Sequence, residues 1–471
     1  MANMPSHLDR RRFMQASAAA AASAFGTLWA QQDTVWNQVP RILARIQPPT
    51  FPKREFNVKT YGAMGDGKTD ATEAITKAIA ECNAKGGGRV IVPSGVYSTG
   101  PIHLKSNVHL HLDDNATLLF TRDTKRYLPL VYSRWEGVEL MNYSACIYAD
   151  KVENIAITGS GTLDGNADCE AAWWSWKGRP MCGWRAGQPI QDPARNRLFD
   201  MGARDVPVAE RLFGEGSNLR PNLVQFCHSK NILIEGLTMK NAPMFEINPV
   251  LCSNVTVRGI HIDSHGPNND GCDPDSSRDV LIENCTFDTG DDCIAIKAGR
   301  NRDGRRVAVP SENIVIRNCR MKDGHGGLTI GSEMSGGVRN VFVENCQLDS
   351  PNLEQALRFK TNAMRGGTIE HIYFRNIRVG QVSNAVLQID CLYEEGEKGP
   401  EKPVVRDIHI AKVTCQKSRY ALQLRGFAAS PIQDIHLEDC EFNGAQQPNE
   451  VLHVEALRAV RVKINGQPFQ A

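Results

Sequence analysis

The 471-residue chain has no surplus of charge of either sign: 54 basic residues stand against 53 acidic ones. No basic stripe and no charge block interrupts that balance, which excludes a nucleic-acid footprint and a charged disordered tail. Past the N-terminus no apolar run approaches the roughly 18 residues of a membrane-spanning helix. The 14 cysteines include no Cys-x-x-Cys pair, so a zinc site has no support. What the chain does have is glycine, 40 residues, with 41% hydrophobic content. That suits a soluble, turn-rich protein, built as two or three average domains or as one large repetitive one.

The N-terminus reads as an address. Asp9-Arg10-Arg11-Arg12-Phe13-Met14-Gln15 is similar to the twin-arginine export signal, and a small, Ala-rich apolar stretch follows from Ala16 to Ala30. Residues 1–30 are therefore expected to be a signal peptide, cleaved near 26 or 30, that sends a folded protein to the periplasm or beyond. Residues 31–53 read as a linker.

One pattern recurs through the second half. It is seen in Asn231-Ile-Leu-Ile-Glu-Gly-Leu237, Asn254-Val-Thr-Val-Arg-Gly-Ile260, Asp279-Val-Leu-Ile-Glu-Asn-Cys285 and Asn313-Ile-Val-Ile-Arg-Asn-Cys319. Further copies start at Asn340, His371, Asp407 and Asp434, at spacings of 23, 25, 34, 27, 31, 36 and 27 residues. Short β-branched strands with variable loops at this period predict an all-β solenoid, a parallel β-helix in which each rung buries a face against its neighbours. The last column of the repeat reads Leu237, Ile260, Cys285, Cys319, Cys346, Ile377, Val413, Cys440. Cysteine alternates there with aliphatic residues, so these thiols are expected to be stacked core hydrophobes.

Before the repeat, Ala74, Ile75, Ala78, Ile79 and Cys82 sit at helical spacing within 71–83. A helix there would cap the open end of the solenoid, whose exposed strands would otherwise pair with other chains. Arg89–Tyr97 and Val108–Leu112 read as strands of the first rungs. The expected catalytic domain spans 54–465, with an insertion at 168–222.

The stretch Asp288-Thr289-Gly290-Asp291-Asp292-Cys293-Ile294-Ala295-Ile296-Lys297 places two aspartates before an apolar strand. Equivalent positions on successive rungs lie about 4.8 Å apart. Four consecutive rungs are followed by His265-Gly-Pro-Asn268-Asn269-Asp270-Gly271, by Thr289-Gly290-Asp291-Asp292, by Asp323-Gly324-His325-Gly326-Gly327, and by Leu357-Arg358-Phe359-Lys360-Thr361. Three aspartates, a histidine, an arginine and a lysine thus come to corresponding turns. A solvated loop does not need that alignment. Hydrolysis of a glycosidic bond does need one carboxylic acid and one carboxylate, and crowding splits their pKa values.

Asn268-Asn269-Asp270-Gly271, Gly290-Asp291-Asp292, Gly324-His325-Gly326 and Arg358-Phe359-Lys360 resemble, in order, the four signatures of glycoside hydrolase family 28, the polygalacturonase family. Asn269 stands where that pattern has Thr, and Phe359 where it has Ile. The resemblance covers nearly all of 54–450. It implies a right-handed, single-stranded β-helix and an inverting hydrolase of α-1,4-galacturonosidic bonds in pectin. It implies Asp291 as general acid, Asp270 and Asp292 as the groups that hold and activate water, and His325 as keeper of the acid's ionisation. Asn268, Arg358 and Lys360 would bind substrate, the last two through its carboxylate. No metal or cofactor is implied, and the expected partner is a pectic polysaccharide met by a monomer.

Two segments are less defined. The insertion carries Trp173, Trp174, Trp176 and Trp184, which either stack on sugars or form a local core. The loop 299–306 carries Arg300, Arg302, Arg305 and Arg306, which either grip an acidic chain end or are solvated. Both flank the catalytic rungs, and Ser133-Arg-Trp-Glu-Gly-Val-Glu139 resembles bacterial end-acting members of the family, so attack from a chain end is expected. A pectate lyase, a rhamnogalacturonan hydrolase and a non-catalytic carbohydrate-binding β-helix are the alternatives.

Overall fold

The computed structural model describes residues 35–170, 173–178 and 182–470. A small N-terminal unit ends at Arg45 and a large one begins at Ile46. In the first, Gln38–Arg45 is an α-helix that buries Val39 and Ile42. Apolar residues three apart specify that helix, which lies within the expected linker 31–53. The twin-arginine-like stretch and the Ala-rich run lie outside the described residues. Among the described residues no helix is long and apolar enough to cross a membrane.

The large unit winds into three rows of parallel strands. The recurring segments form one row: Lys230–Glu235, Ser253–Arg258, Arg278–Glu283, Ser311–Arg317 and Val338–Glu344 pair in sequence, then continue into Thr368–Gln381, Val404–Lys417, Ile432–Glu438 and Val454–Val460. The repeat owes its spelling to two sharp bends. The first position takes a left-handed backbone at Asn231, Asn254, Asn313 and Asn340 (φ 56°, 55°, 57° and 55°), and so does the sixth at Gly236, Asn284, Asn318 and Asn345 (φ 79°, 56°, 55° and 57°). Glycine and asparagine adopt that conformation at least cost. The first-position amides also bond along the stack, Asn231 to Asn154 at 2.9 Å and Asn254 to Asn231 at 2.8 Å.

The column that closes each repeat is core throughout, Leu237 to Cys440, with every member at most 1% exposed. Its cysteines are free thiols, as the alternation with aliphatic residues required. The helix Thr72–Ala84 buries Ala74, Ile75, Ala78, Ile79 and Cys82, the five residues its spacing selects, and they join the core under the first strands. At the other end, Lys463–Ile464 turns back on Gln467–Pro468 in an antiparallel pair.

Another row carries the signatures. Ile294–Ile296, Gly324–Gly331, Leu353–Lys360 and Ala385–Asp390 pair in parallel. Bridges from Cys272 to Ile294 and from Asp275 to Lys297 link this set back to Ile247–Val250. Beside it tryptophans of the insertion pack into the main core. Trp173 is fully buried, with its ring edge-on to Tyr127 and Trp176 at 5.1 and 5.0 Å. A Cys169–Cys182 disulfide closes that segment, while Cys146 is buried and free.

Candidate active site

Cys293 and Ile294 are neighbours, yet both lie in the core. The inward–outward alternation therefore slips by one residue after the turn at Gly290, and Asp292 emerges on the outer face with Asp291. That answers how two adjacent aspartates can precede a core strand. Close approach enforces the turns. A Cβ on Gly326 would meet Asp292 Oδ1 at 2.7 Å and Thr329 Oγ1 at 2.2 Å, and one on Gly290 would meet the Gly266 carbonyl at 2.4 Å.

Asp270, Asp291 and Asp292 converge so that one oxygen from each lies within 4.8 Å of the others. They and Asn268, His325, Arg358 and Lys360 line one cavity of about 570 Å³, except that Asp292 sits just beneath its surface, fully buried. The structure thus brings together every residue the signatures selected.

Each carboxylate has a different environment. Asp292 receives Lys360 Nζ at 2.6 Å, Arg358 Nη1 at 3.1 Å and Thr329 Oγ1 at 3.0 Å. Burial works to raise its pKa, but the two cations outweigh burial and hold it low. Asp291 meets His325 Nδ1 at 2.9 Å. Burial again pushes up, and the His325 hydrogen bond and charge, with Lys360 and Arg358 behind, bring it below the usual carboxylate range. His325 answers in kind: its bond to Asp291 raises it to about 9. Asp270 has the weakest support. One oxygen faces Lys297 Nζ at 3.4 Å and the other has no hydrogen-bond partner. Burial, then the charge of Asp291, push it up to about 7. In the free protein these surroundings favour the charge on Asp291 and oppose it on Asp270.

Supporting residues escaped the sequence reading. Arg220, fully buried, donates to Asn268 Oδ1 at 2.7 Å, to the carbonyls of Pro243 and Pro267, and to Gln191 Oε1. With Oδ1 committed, the Asn268 amide turns its Nδ2 to Asp291 Oδ2, 3.5 Å away. Asn269 is buried and braces the turn, accepting from Gly266 N and Ser264 Oγ and donating to the carbonyls of Ala242 and Met244. Phe359 is fully buried in the core. The two departures from the family pattern thus concern packing. Thr329 and Lys297 come from the outward phase of strands whose inward residues are apolar. That phase could have been read from Ile294 and Ile296.

The wall of the cavity away from the signatures belongs to the added segments. Strands Val131–Trp135 and Val138–Asn142 pair antiparallel, and Glu136 at their tip lines the cavity beside Lys177, Asp192 and Arg195. Arg195 Nε lies 2.8 Å from Glu136. Trp173 belongs to the main core and Trp174 and Trp176 pack against it; Trp174 also donates to the Ala242 carbonyl at 2.8 Å. Each of the four arginines after Gly299 has a partner within the protein; Arg300 is buried, whereas Arg302 and Arg306 are exposed. Arg300 is buried between Glu333, Glu394 and Glu395 at 3.1–3.3 Å. Arg302 pairs with Asp205, Arg305 with the carbonyls of Met364 and Arg365, and Arg306 with Glu139 and Asp303. The helix Asn301–Val307 turns them onto protein carboxylates and carbonyls that lie far away in sequence.

A parallel β-helix with clustered acids and paired cations on the outer face of one strand row is the frame of a glycoside hydrolase. The chain belongs to the glycosyl hydrolases family 28, whose pattern matches residues 213–460. Residues 55–123 match the rhamnogalacturonase A/epimerase, pectate lyase-like pattern. The chain is 46% identical to a hyperthermoactive exopolygalacturonase from Thermotoga maritima, with a TM-score of 0.89 over 92% of this chain and 96% of that one. It is 27% identical over 406 residues to a probable polygalacturonase from Vitis vinifera, covering 83% of this chain and 74% of the relative. It is 29% identical over 402 residues to an exo-poly-alpha-D-galacturonosidase from Dickeya chrysanthemi, over 78% of this chain and 63% of the relative's length.

Proposed function

We infer that the protein hydrolyses α-1,4-galacturonosidic bonds of polygalacturonate, working from a chain end. The observation that carries this reading is the union in one cavity of three crowded carboxylates, the Arg358–Lys360 pair and a wall of added segments. An open groove would let a polymer pass through. A walled pocket admits an end.

In this reading Asp291 protonates the leaving oxygen, and Asp270 with Asp292 activates the water. A galacturonate carboxylate on Arg358 and Lys360 takes up two of the charges that hold Asp291 low. Substrate binding itself then raises Asp291 toward the protonated form it needs. The likeness to an exopolygalacturonase at 46% identity supports both the substrate and the mode of attack. A calcium-dependent lyase fits less well, because Asp291 and Asp292 are each committed to a cationic side chain. The expected site of action is the periplasm or beyond, reached by twin-arginine export. A fusion of residues 1–30 to a reporter that requires that route tests it.

The test of the chemistry is Asp291→Asn on polygalacturonate. Turnover falls by roughly 10²–10⁴, the scale of general acid catalysis, while circular dichroism stays unchanged. Near-normal release of reducing ends by the variant, or an unsaturated product from the parent, refutes the reading.

A further inference from the structure

Beside the three aspartates, two further charges that the signatures do not include, Lys297 and Glu333, line the same cavity. Lys297 closes the strand Ile294–Ile296 on its outward phase, and its Nζ stands 3.4 Å from Asp270, 3.6 Å from Asp273 and 3.4 Å from Glu333. The Phe245 ring lies 5.0 Å away on another side. All four ionisable groups are buried. Among the described residues, both oxygens of Asp273 and Oδ1 of Asp270 have no hydrogen-bond partner. A carboxylate so placed neutralises unless a cation answers it.

The cations available to Asp270 are few. Lys297 and, more distantly, Lys360 favour its charge, while Asp291 and Asp292 oppose it. Lys360 is held by Asp292 at 2.6 Å, and a substrate carboxylate would claim it further. Of the groups that compete for Lys297, Glu333 is also answered by Arg300 at 3.1 Å. Among the described residues Asp273 has no other cation within an ion-pair distance, and burial pushes its carboxyl well above the usual range. Lys297 thus divides its charge among Asp270, Asp273 and Glu333, and among the described residues it is the one cation within ion-pair distance of Asp270.

We propose that Lys297 is a positioning residue for hydrolysis: it holds Asp270 as the ionised base and so leaves the cluster's proton to Asp291 when substrate is bound. The proposal rests on the reading of Asp270 as a base. It assigns no contact between Lys297 and the reacting bond. The lysine acts through the carboxylate it faces.

The test is the pH dependence of kcat and KM on polygalacturonate for the full-length protein and three variants. Lys297→Met removes the answering charge, so the acid limb of kcat moves up by about one pH unit or more. Below the optimum that is about a tenfold loss per unit, which shrinks as the pH rises, while KM changes little. Glu333→Gln keeps the lysine and relieves it of one carboxylate, so the same limb moves down. The opposite shifts keep the proposal open to test should Lys297→Met fold poorly. A Lys297 with a merely structural role would lower kcat by one factor at every pH and leave the limb in place. That outcome, or limbs that move together in both variants, overturns the proposal. Asp270→Asn separates the two levels: if it turns over near the parent rate, the base assignment itself is wrong. If it is inactive while the Lys297→Met limb stays put, only the role of Lys297 falls.

Discussion

Asp291 Oδ1 and His325 Nδ1 meet at 2.9 Å across 34 residues of sequence and one rung of the solenoid. The contact sets the state of the acid in the free protein. It also makes stability depend on pH in a defined direction. His325 is raised to about 9 by its bond to Asp291, from an unfolded value of about 6.5. A raised histidine contributes its full stability below the unfolded value and loses it as the pH climbs through the folded one. Urea unfolding of the parent and of His325→Ala should therefore differ most below about pH 6.5 and converge by about pH 9. A gap that stays constant across that range contradicts the pairing.

Lys360 serves two purposes, and its loss should show both. Its ammonium is buried against Asp292 at 2.6 Å, and removing one partner of a buried pair costs about 3–5 kcal/mol. Lys360→Ala should accordingly unfold at lower denaturant. It should also lose far more in cleavage of unesterified galacturonan than in binding of a neutral galactan, which offers no carboxylate. Parent-like kinetics on polygalacturonate would make Lys360 a structural charge alone.

The spacing of the acids bears on stereochemistry. Their nearest oxygens lie within 4.8 Å, closer than the roughly 6.5–9.5 Å that usually leaves room for an attacking water. Spacing alone would favour retention; the family resemblance implies inversion. In the proposed mechanism Asp270 and Asp292 share the water, so inversion does not depend on a single acid–base gap. Proton NMR of the first product formed should show inverted anomeric configuration. The retained anomer at early times would require one aspartate to act as a nucleophile.

Much of this was legible in the chain because a solenoid converts sequence period into spatial stacking. The cap helix, the core column of Leu237 to Cys440 and the convergence of Asp270, Asp291 and His325 all follow from local patterns laid one above another. What the period does not encode is the pairing between rungs and loops. Arg220 reaches Asn268 across 48 residues, and Arg300 reaches Glu395 across 95. The loop arginines looked free because their partners lie that far off. The insertion has no period at all, so nothing in its sequence decided between a sugar platform and a core; burial of Trp173 did. Lys297 ends the stretch Asp288–Lys297 that holds two of the aspartates, but its role depends on Asp273 and Glu333, which no signature contains.

The central claim is that one walled pocket hydrolyses polygalacturonate from its end. Viscosity followed against released reducing sugar tests it most directly. The account predicts that galacturonic acid appears from the first time points and that viscosity falls only in step with the sugar released. An early collapse of viscosity with a ladder of oligomers would contradict it, because it would place the cut inside the chain.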